Sequence, residues 1–307
     1  MSNTMKVLQW NVLTTAFYDR KEYPTYPEED FATGRKNEQV IEVVRDSMKE
    51  KSVIVLQEVC DLLRRDLAIL SSEMGYTMKD AAYGGSFTSN MGICMFWPNS
   101  FIVEDYLQYV VGQHIKPDKN DRKCKSTCAW PLSYIWGKRE KNSWDNAIWR
   151  KNVLMIATLR DPTAKRSFVL AGYHMPCTYK EPKIMDYHIQ TIWDLIRIDD
   201  MNDRMIPLIF AADLNSKPGS PVYKFLERKG MISANLFEEI EPEFTTNIAT
   251  ERNPDGFKET LDYVFVTKDL IKEVESTLPA QYESEVLIPN AEFPSDHLWL
   301  KFDLTFQ

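Results

Sequence analysis

Six segments of this 307-residue chain end or begin in polar residues of a restricted kind. "MKVLQW" runs into Asn11, "SVIVLQ" into Glu58 and "SFVLAGYH" ends on His174. "IPLIFAAD" delivers Asp213, with Asn215 two positions on; "LDYVFVT" carries Asp262 near its start, and Asp296 and His297 precede "LWLKFDL". Taken singly, each has a plain reading, since Asp and Asn at strand ends commonly cap or turn the chain. As a set they are chemically coherent. The oxygen donors Glu58, Asn11, Asp213, Asn215, Asp262 and Asp296 suit a hard divalent cation, Mg²⁺ or Mn²⁺, and no thiolate or three-histidine arrangement for zinc accompanies them. Hydrolysis of a phosphoester needs such a cation, a group that orients water, and donors for the developing oxyanion charge. On this reading Asp213 positions the water, Asn215 and His174 donate to phosphate oxygens, and His297 beside Asp262 is an oriented, partly protonated imidazole.

The segments that must position these residues are short, apolar and β-rich: 5–10, 52–57, 92–97, 152–159, 167–174, 206–213, 261–267 and 297–304. The last alternates, with Leu298, Leu300, Phe302 and Leu304 on one face. Helical patterns lie between them. "GRKNEQVIEVVRDSMKE" carries Val40, Ile41, Val44 and Met48 on one stripe, and "DLLRRDLAILSSEM" and "MDYHIQTIWDLIRIDD" behave likewise. "SPVYKFLERKG" opens with Ser220 as N-cap and Pro221 at the first helical position and stops at Gly230. Many strands for few helices, interleaved throughout, predict an α/β fold in which two packed mixed β-sheets are flanked by helices. One rim of such a sandwich can gather all the polar ends. The expected organisation is a single catalytic domain over 1–307, with 112–151 as an insertion or elaborated loop.

Hydrophobic residues make up 44% of the chain, enough for a sizeable core, and no apolar run is long enough to span a bilayer. Five scattered cysteines suit reduced thiols better than a disulfide framework, and no secretory signal is evident, so the expected location is cytoplasmic. "CKSTC" (Cys124 to Cys128) has no second Cys/His pair to complete a zinc site. The formal charge of −8 argues against gripping duplex DNA by charge alone. Against it, the stretch from Lys116 to Lys151 holds ten Lys or Arg and four Trp. Such interleaving either binds single-stranded nucleic acid by stacking and phosphate contacts or packs under a solvated loop. Arg150 and Asn152, at its end, are candidate phosphate contacts.

"WN", "LQEV", "GYH", "ADLNS", "LDYVFV" and "PSDH", in this order from Trp10 to His297, resemble the endonuclease/exonuclease/phosphatase superfamily. That resemblance implies a four-layer α/β sandwich and a Mg²⁺-dependent phosphoesterase. Within it, "IPLIFAADLNSKPGSPVYKFL", "GFKETLDYVFV" and "GICMFWPNSF" most resemble the carbon-catabolite-repressor type deadenylases and their relatives nocturnin and angel. The resemblance makes Glu58 the main metal ligand with Asn11 beside it, groups Asp213, Asn215, Asp262, Asp296 and His297 as the catalytic cluster, and makes His174 a phosphate contact. Phe257 falls where those deadenylases stack the 3′-terminal adenine. Their partner proline is replaced by Tyr179, the nearest proline being Pro176. The implied activity is a 3′–5′ exoribonuclease on single-stranded RNA, poly(A) in particular, releasing 5′-AMP. A nucleotide or dinucleotide phosphatase and a 2′,5′-phosphodiesterase are the alternatives on the same site, and a catalytically dead RNA- or protein-binding module is the alternative of another class. No leucine-rich repeat precedes the catalytic motifs, so docking to a larger assembly through such a module is not expected. Arg35 stands near the place where related enzymes carry an arginine at a helix start.

Overall fold

The computed structural model describes residues 4–15, 23–25, 27, 35–83, 91–117, 142–198, 206–238, 240–250, 253–284 and 286–307. Two six-stranded sheets form its centre. The first runs β13 (Ile271–Thr277), β14 (Leu300–Phe306), β1 (Thr4–Asn11), β2 (Val53–Gln57), β4 (Gly92–Pro98) and β3 (Tyr76–Ala82). The second runs β5 (Ile102–Val110), β6 (Val153–Asp161), β7 (Arg166–His174), β8 (Leu208–Asp213), β12 (Asp262–Thr267) and β9 (Met231–Ser233). Both are mixed. β1 and β2 are parallel in the first sheet and β7 and β8 in the second, while their other neighbours are antiparallel. A small ribbon pairs β10 (Thr246–Ile248) with β11 (Phe257–Glu259).

The inner faces meet in one apolar layer, where Val7, Val55, Met95 and Phe302 from the first sheet pack with Met155, Leu170, Ile209 and Val264 from the second. The outer face of the first sheet buries Leu8, Trp10, Ile54 and Phe96 against helices Arg35–Lys49 and Asp61–Glu73. The outer face of the second buries Val169, Phe210 and Phe265 against Pro182–Ile198 and Pro221–Arg228. Helix, sheet, sheet, helix is the four-layer arrangement the apolar periodicities predict, and strands buried on both faces explain the continuous apolar runs at β2, β4 and β8. Among the described residues no helix is long and apolar enough to cross a membrane.

The sheets approach so closely that Gly172 of β7 has no room for a side chain. A β-carbon there would stand 2.7 Å from Val55 Cγ1 and 3.2 Å from Ile93 Cδ1, across the interface. Both neighbours are buried core atoms held on all sides. Gly172→Ala is therefore expected to destabilise the protein by about 1–3 kcal/mol, the usual cost of overpacking, as measured by denaturant unfolding. An unchanged midpoint would mean that the sheets can part at this point.

Register brings the polar ends together. Asn11 lies opposite Gln57 at the ends of β1 and β2, His174 opposite Asp213 at the ends of β7 and β8, and Asp262, at the start of antiparallel β12, opposite Asp213 again. Ser220 accepts from the Tyr223 backbone N–H at 3.2 Å and Gly230 takes φ +81°, so the helix after β8 starts and stops as its sequence predicts. The ends of the 112–151 segment fold locally. A 3-10 turn, Val111–His114, and a short helix, Ser143–Ile148, pack onto the start of helix Pro182–Ile198. Residues 118–141, with Cys124, Cys128, Trp130 and Trp136, lie outside the described residues.

Candidate active site

These strand ends floor a cleft of about 790 Å³. On one side Glu58 adopts φ +59°, which turns its side chain out of the line of β2. One carboxylate oxygen accepts from Asn11 Nδ2 at 3.2 Å and the other from the Thr14 backbone N–H at 3.1 Å. The Asn11 amide oxygen accepts from the Leu13 N–H at 3.0 Å, and Leu13 is itself left-handed at φ +53°. Lys36 secures this turn from below by donating to the carbonyls of Val12 and Leu13. Its ammonium is buried, and desolvation pulls its pKa down to about 8 against the opposing pull of the Cys60 thiol, Glu58 and Asp296. Arg35, at the helix start singled out in the sequence, is exposed, and the neighbouring lysine is the side chain that holds this loop, a role its sequence context gave no sign of.

At the centre, Asp213 Oδ1 accepts from the Asn215 N–H at 2.8 Å, which holds Asn215 left-handed at φ +46°. Asp213 Oδ2 accepts from Asn11 Nδ2 at 3.0 Å and lies 3.4 Å from His174 Nε2 and 4.0 Å from His297 Nε2. Burial and the nearby Asp262 carboxylate raise Asp213 to about 6, against the two histidines and Asn11. Asn215 Nδ2 donates to the Met175 carbonyl at 3.0 Å and Tyr179 Oη to Asn215 Oδ1 at 3.3 Å. His174 Nε2 also lies 3.8 Å from Glu58 Oε1, so the imidazole bridges the two carboxylates.

On the far side, His297 Nδ1 is paired with Asp262 Oδ2 at 2.7 Å. The same oxygen accepts from Thr245 Oγ1 at 2.6 Å, and Asp262 Oδ1 accepts from Gln9 Nε2 at 3.1 Å. Burial works against the charged imidazole, but Asp262, Asp296 and Asp213 outweigh it and hold His297 well above the ordinary histidine range. The loop carrying it is fixed to β1, with Trp10 Nε1 donating to the His297 carbonyl at 2.7 Å and Ser295 Oγ to the Asn11 carbonyl at 2.6 Å. Tyr23 donates to Asp296 Oδ2 at 2.8 Å, while Asp296 Oδ1 is buried with no hydrogen-bond partner.

Among known proteins, the sequence model of the Endonuclease/Exonuclease/phosphatase family matches residues 8–297. The chain belongs to this family. Rattus norvegicus 2′,5′-phosphodiesterase 12 is 27% identical over 194 residues, 53% of this chain and 30% of that protein. A probable CCR4-Not complex 3′-5′-exoribonuclease subunit Ccr4 of Vairimorpha ceranae is 24% identical over 177 residues, 50% of this chain and 36% of that protein. The matched stretches thus span about a third of these relatives' lengths. Among solved structures, the human Nocturnin catalytic domain with bound sulfate superposes with a TM-score of 0.69 at 19% identity, covering 100% of this chain and 96% of that one. ANGEL2, a 2′,3′-cyclic phosphatase, superposes with 0.70 at 16% identity, covering 98% and 96%. These likenesses share the fold, and the family assignment makes the chain a phosphoesterase.

Enzymes of this family typically work with a divalent metal, and the residues here fit one. Glu58, Asp213 and Asp296 line the cleft, Asp296 with a buried unpartnered oxygen and a carboxyl raised by burial. A hard cation among them would relieve both the repulsion and the orphaned oxygen. Asp213, Asp262 and His297 also offer ligand atoms within 4.8 Å of one another. In that trio, however, the 2.7 Å contact joins His297 to Asp262 directly, the geometry of a shared proton rather than of two ligands on one ion. Asn11 and Asp262 are absent from the cleft lining. Asn11 turns its amide nitrogen to Glu58 and Asp213, and Asp262 sits beneath His297.

The remaining residues singled out by sequence divide. Phe257, Pro176, Tyr179, Arg150 and Asn152 all line the cleft. The amide nitrogen of Asn152 is engaged by the His174 carbonyl at 2.7 Å, so this side chain also fixes the end of β7. Sequence reasoning missed Tyr23, Gln9 and Thr245, which orient the acidic residues, and Tyr83. The Tyr83 ring lies 6.0 Å from that of His174, and its buried hydroxyl has no hydrogen-bond partner. No motif marks these four, because each acts through tertiary contact.

Proposed function

We propose that this chain is a Mg²⁺- or Mn²⁺-dependent 3′–5′ exoribonuclease of deadenylase type, acting on single-stranded RNA ending in adenosines and releasing 5′-AMP. The observation that carries this reading is an aromatic pair on the wall of the phosphoester cleft. Tyr179 and Phe257 have ring centroids 6.4 Å apart at 53°, and both face the cavity that holds Glu58 and Asp213. A nucleobase stacked there leaves its 5′-phosphate to reach toward the acidic floor.

Glu58, with Asp296 and Asp213 near it, would hold the cation, which supplies charge neutralisation at the scissile phosphate. Asp213 orients water for in-line attack and takes up its proton. The P–O3′ bond breaks as the new P–O bond forms, and the departing 3′-oxygen takes a proton to leave a shortened RNA with a free 3′-hydroxyl. His297, kept cationic by Asp262, and His174 and Asn215 donate to the phosphate oxygens as charge builds. Asp262 keeps the proton on the ring in the orientation where Nε2 points at the site.

A second reading, a 2′,5′-phosphodiesterase, is favoured by the similarity to the rat protein of that name. Both linkages place an adenine beside the scissile phosphate, so linkage preference must be measured. The expected result with Mg²⁺ is stepwise 5′-AMP release from 3′,5′-oligo(A), faster than from 2′,5′-oligo(A) and without phosphate release from NADPH. Faster cleavage of the 2′,5′ series would transfer the assignment to the second reading, and phosphate release alone would sink both. Phe257→Ala should reduce the preference for a terminal adenosine over a terminal uridine, removing about 1–3 kcal/mol of stacking from oligo(A) recognition, as read from kcat/KM.

A further inference from the structure

The two described tryptophans of the basic segment part company in the structure. Trp144 is half-buried, its indole N–H donating to the Lys116 carbonyl at 3.1 Å, and it packs on Ile115 and Ile184. Trp149 is 65% exposed, yet it lines the catalytic cleft together with Arg150 and Lys151. An indole that exposed at the mouth of a site offers a ligand a large apolar area with a polar handle.

The mount beneath it is rigid. Asn142 and Asp145 form a reciprocal capping box at the start of helix Ser143–Ile148. At its end the Ala147 carbonyl meets His188 Nε2 at 3.1 Å, and the Arg150 N–H donates to the same carbonyl at 3.1 Å. Gly112 passes so close below that a β-carbon would lie 2.4 Å from the Arg150 carbonyl oxygen. Asn152 then ties the strand that follows to His174 itself. Trp149 and Arg150 therefore stand at fixed positions relative to the phosphate-binding groups.

We propose that Trp149 and Arg150 form a second nucleotide subsite, in which an upstream base of a single-stranded RNA stacks on the indole while Arg150 meets the phosphate that joins it to the next nucleotide. This rests on the exoribonuclease reading and extends it. The Tyr179–Phe257 wall takes the terminal base, and the strand leaves the scissile phosphate across Trp149. The basic side chains Arg150 and Lys151 line the same cleft, in a protein whose net charge is −8, which favours a polyanion there. A largely exposed indole on a rigid mount at the cleft is the arrangement that holds single strands without reading sequence.

Binding without turnover tests it. In a Glu58→Gln background, fluorescence anisotropy of a labelled oligo(A) hexamer would be measured for Trp149, Trp149→Ala, Trp149→Leu and Trp149→Phe, with AMP as competitor. Loss of the ring face is expected to weaken hexamer binding about 5- to 150-fold in the Ala and Leu forms, with Phe within a few-fold of Trp. AMP, which fills only the terminal slot, should compete with its own unaltered affinity. Equal weakening of AMP and hexamer would make Trp149 a structural residue, and unaltered hexamer binding in the Ala and Leu forms would remove the subsite; either overturns the proposal. Product analysis on the wild-type protein separates the two readings. A hexamer bound through Trp149 but yielding no 5′-AMP refutes the exoribonuclease and leaves the subsite standing, whereas normal 5′-AMP release with no contribution from Trp149 does the reverse.

Discussion

Glu58→Gln is expected to lower kcat on oligo(A) by about three orders of magnitude or more, with the protein still folded. The amide keeps the side-chain volume but only one accepting oxygen, so one of the Asn11 and Thr14 donors loses its acceptor, a cost of about 1–3 kcal/mol that moves the unfolding midpoint without abolishing the fold. What it loses is the negative charge, and with it the strongest hard donor on the cleft side of the cation. Charge neutralisation by a catalytic metal contributes several kcal/mol to the transition state, and each 1.36 kcal/mol is tenfold in rate. Raising Mg²⁺ should recover part of the loss in Glu58→Gln, because weakened occupancy can be restored by mass action. Calorimetric titration with Mg²⁺ checks the cause. Wild-type affinity in the variant, or wild-type turnover, would remove Glu58 from the metal site.

Why Glu58 could be found without a structure, while Lys36 and Tyr83 could not, has a physical reason. Glu58, His174 and Asp213 sit where an apolar run stops, and a buried strand leaves a trace of four or more apolar residues in a row. Ligands placed by such strands inherit their visibility. Lys36 acts through its ammonium on two carbonyls of another segment, and on the page it is one more lysine in an amphipathic helix. The strands follow the same logic. β2, β4, β7 and β8, central and apolar, stood out. β5, an edge strand with Glu104, Asp105 and Gln108 exposed, and β13, the opposite sheet's edge strand with Lys272, Glu273 and Glu275, did not. Helix Pro182–Ile198 begins three residues before its periodic pattern does, because Pro182 supplies a first turn that periodicity cannot register. The Phe257–Tyr179 pairing left no pattern of its own in the chain: the family resemblance alone set the two positions beside one base, and the contact joins β11 to the loop after β7.

Asp262→Asn should damage both turnover and stability, and the pH dependence of each identifies the cause. Asp262 is fully buried, accepting from Gln9 on one oxygen and from Thr245 and His297 on the other. An asparagine must turn its NH₂ toward one of these donors, so one contact becomes donor against donor. The charge that most favours protonated His297 is lost as well, and burial, which opposes that charge, then dominates. The alkaline limb of the pH–rate profile is therefore expected to move to lower pH. Turnover at its new maximum should fall by about two to four orders of magnitude, the scale found when the carboxylate partner of a catalytic histidine is made an amide. For stability, the folded pKa of His297 is raised, so its contribution is complete below the unfolded value near 6.5 and fades as pH rises through the folded one. Breaking a buried ion pair costs about 3–5 kcal/mol. The lower end applies here, because Asp213, raised first by burial and next by Asp262, is relieved of a repulsion. The gap between wild-type and variant unfolding free energies should accordingly be wide below about pH 6.5 and narrow as the pH rises through the raised folded value. A gap independent of pH would mean that the Asp262 carboxylate serves packing and hydrogen bonding alone, and that His297 acts as a neutral imidazole.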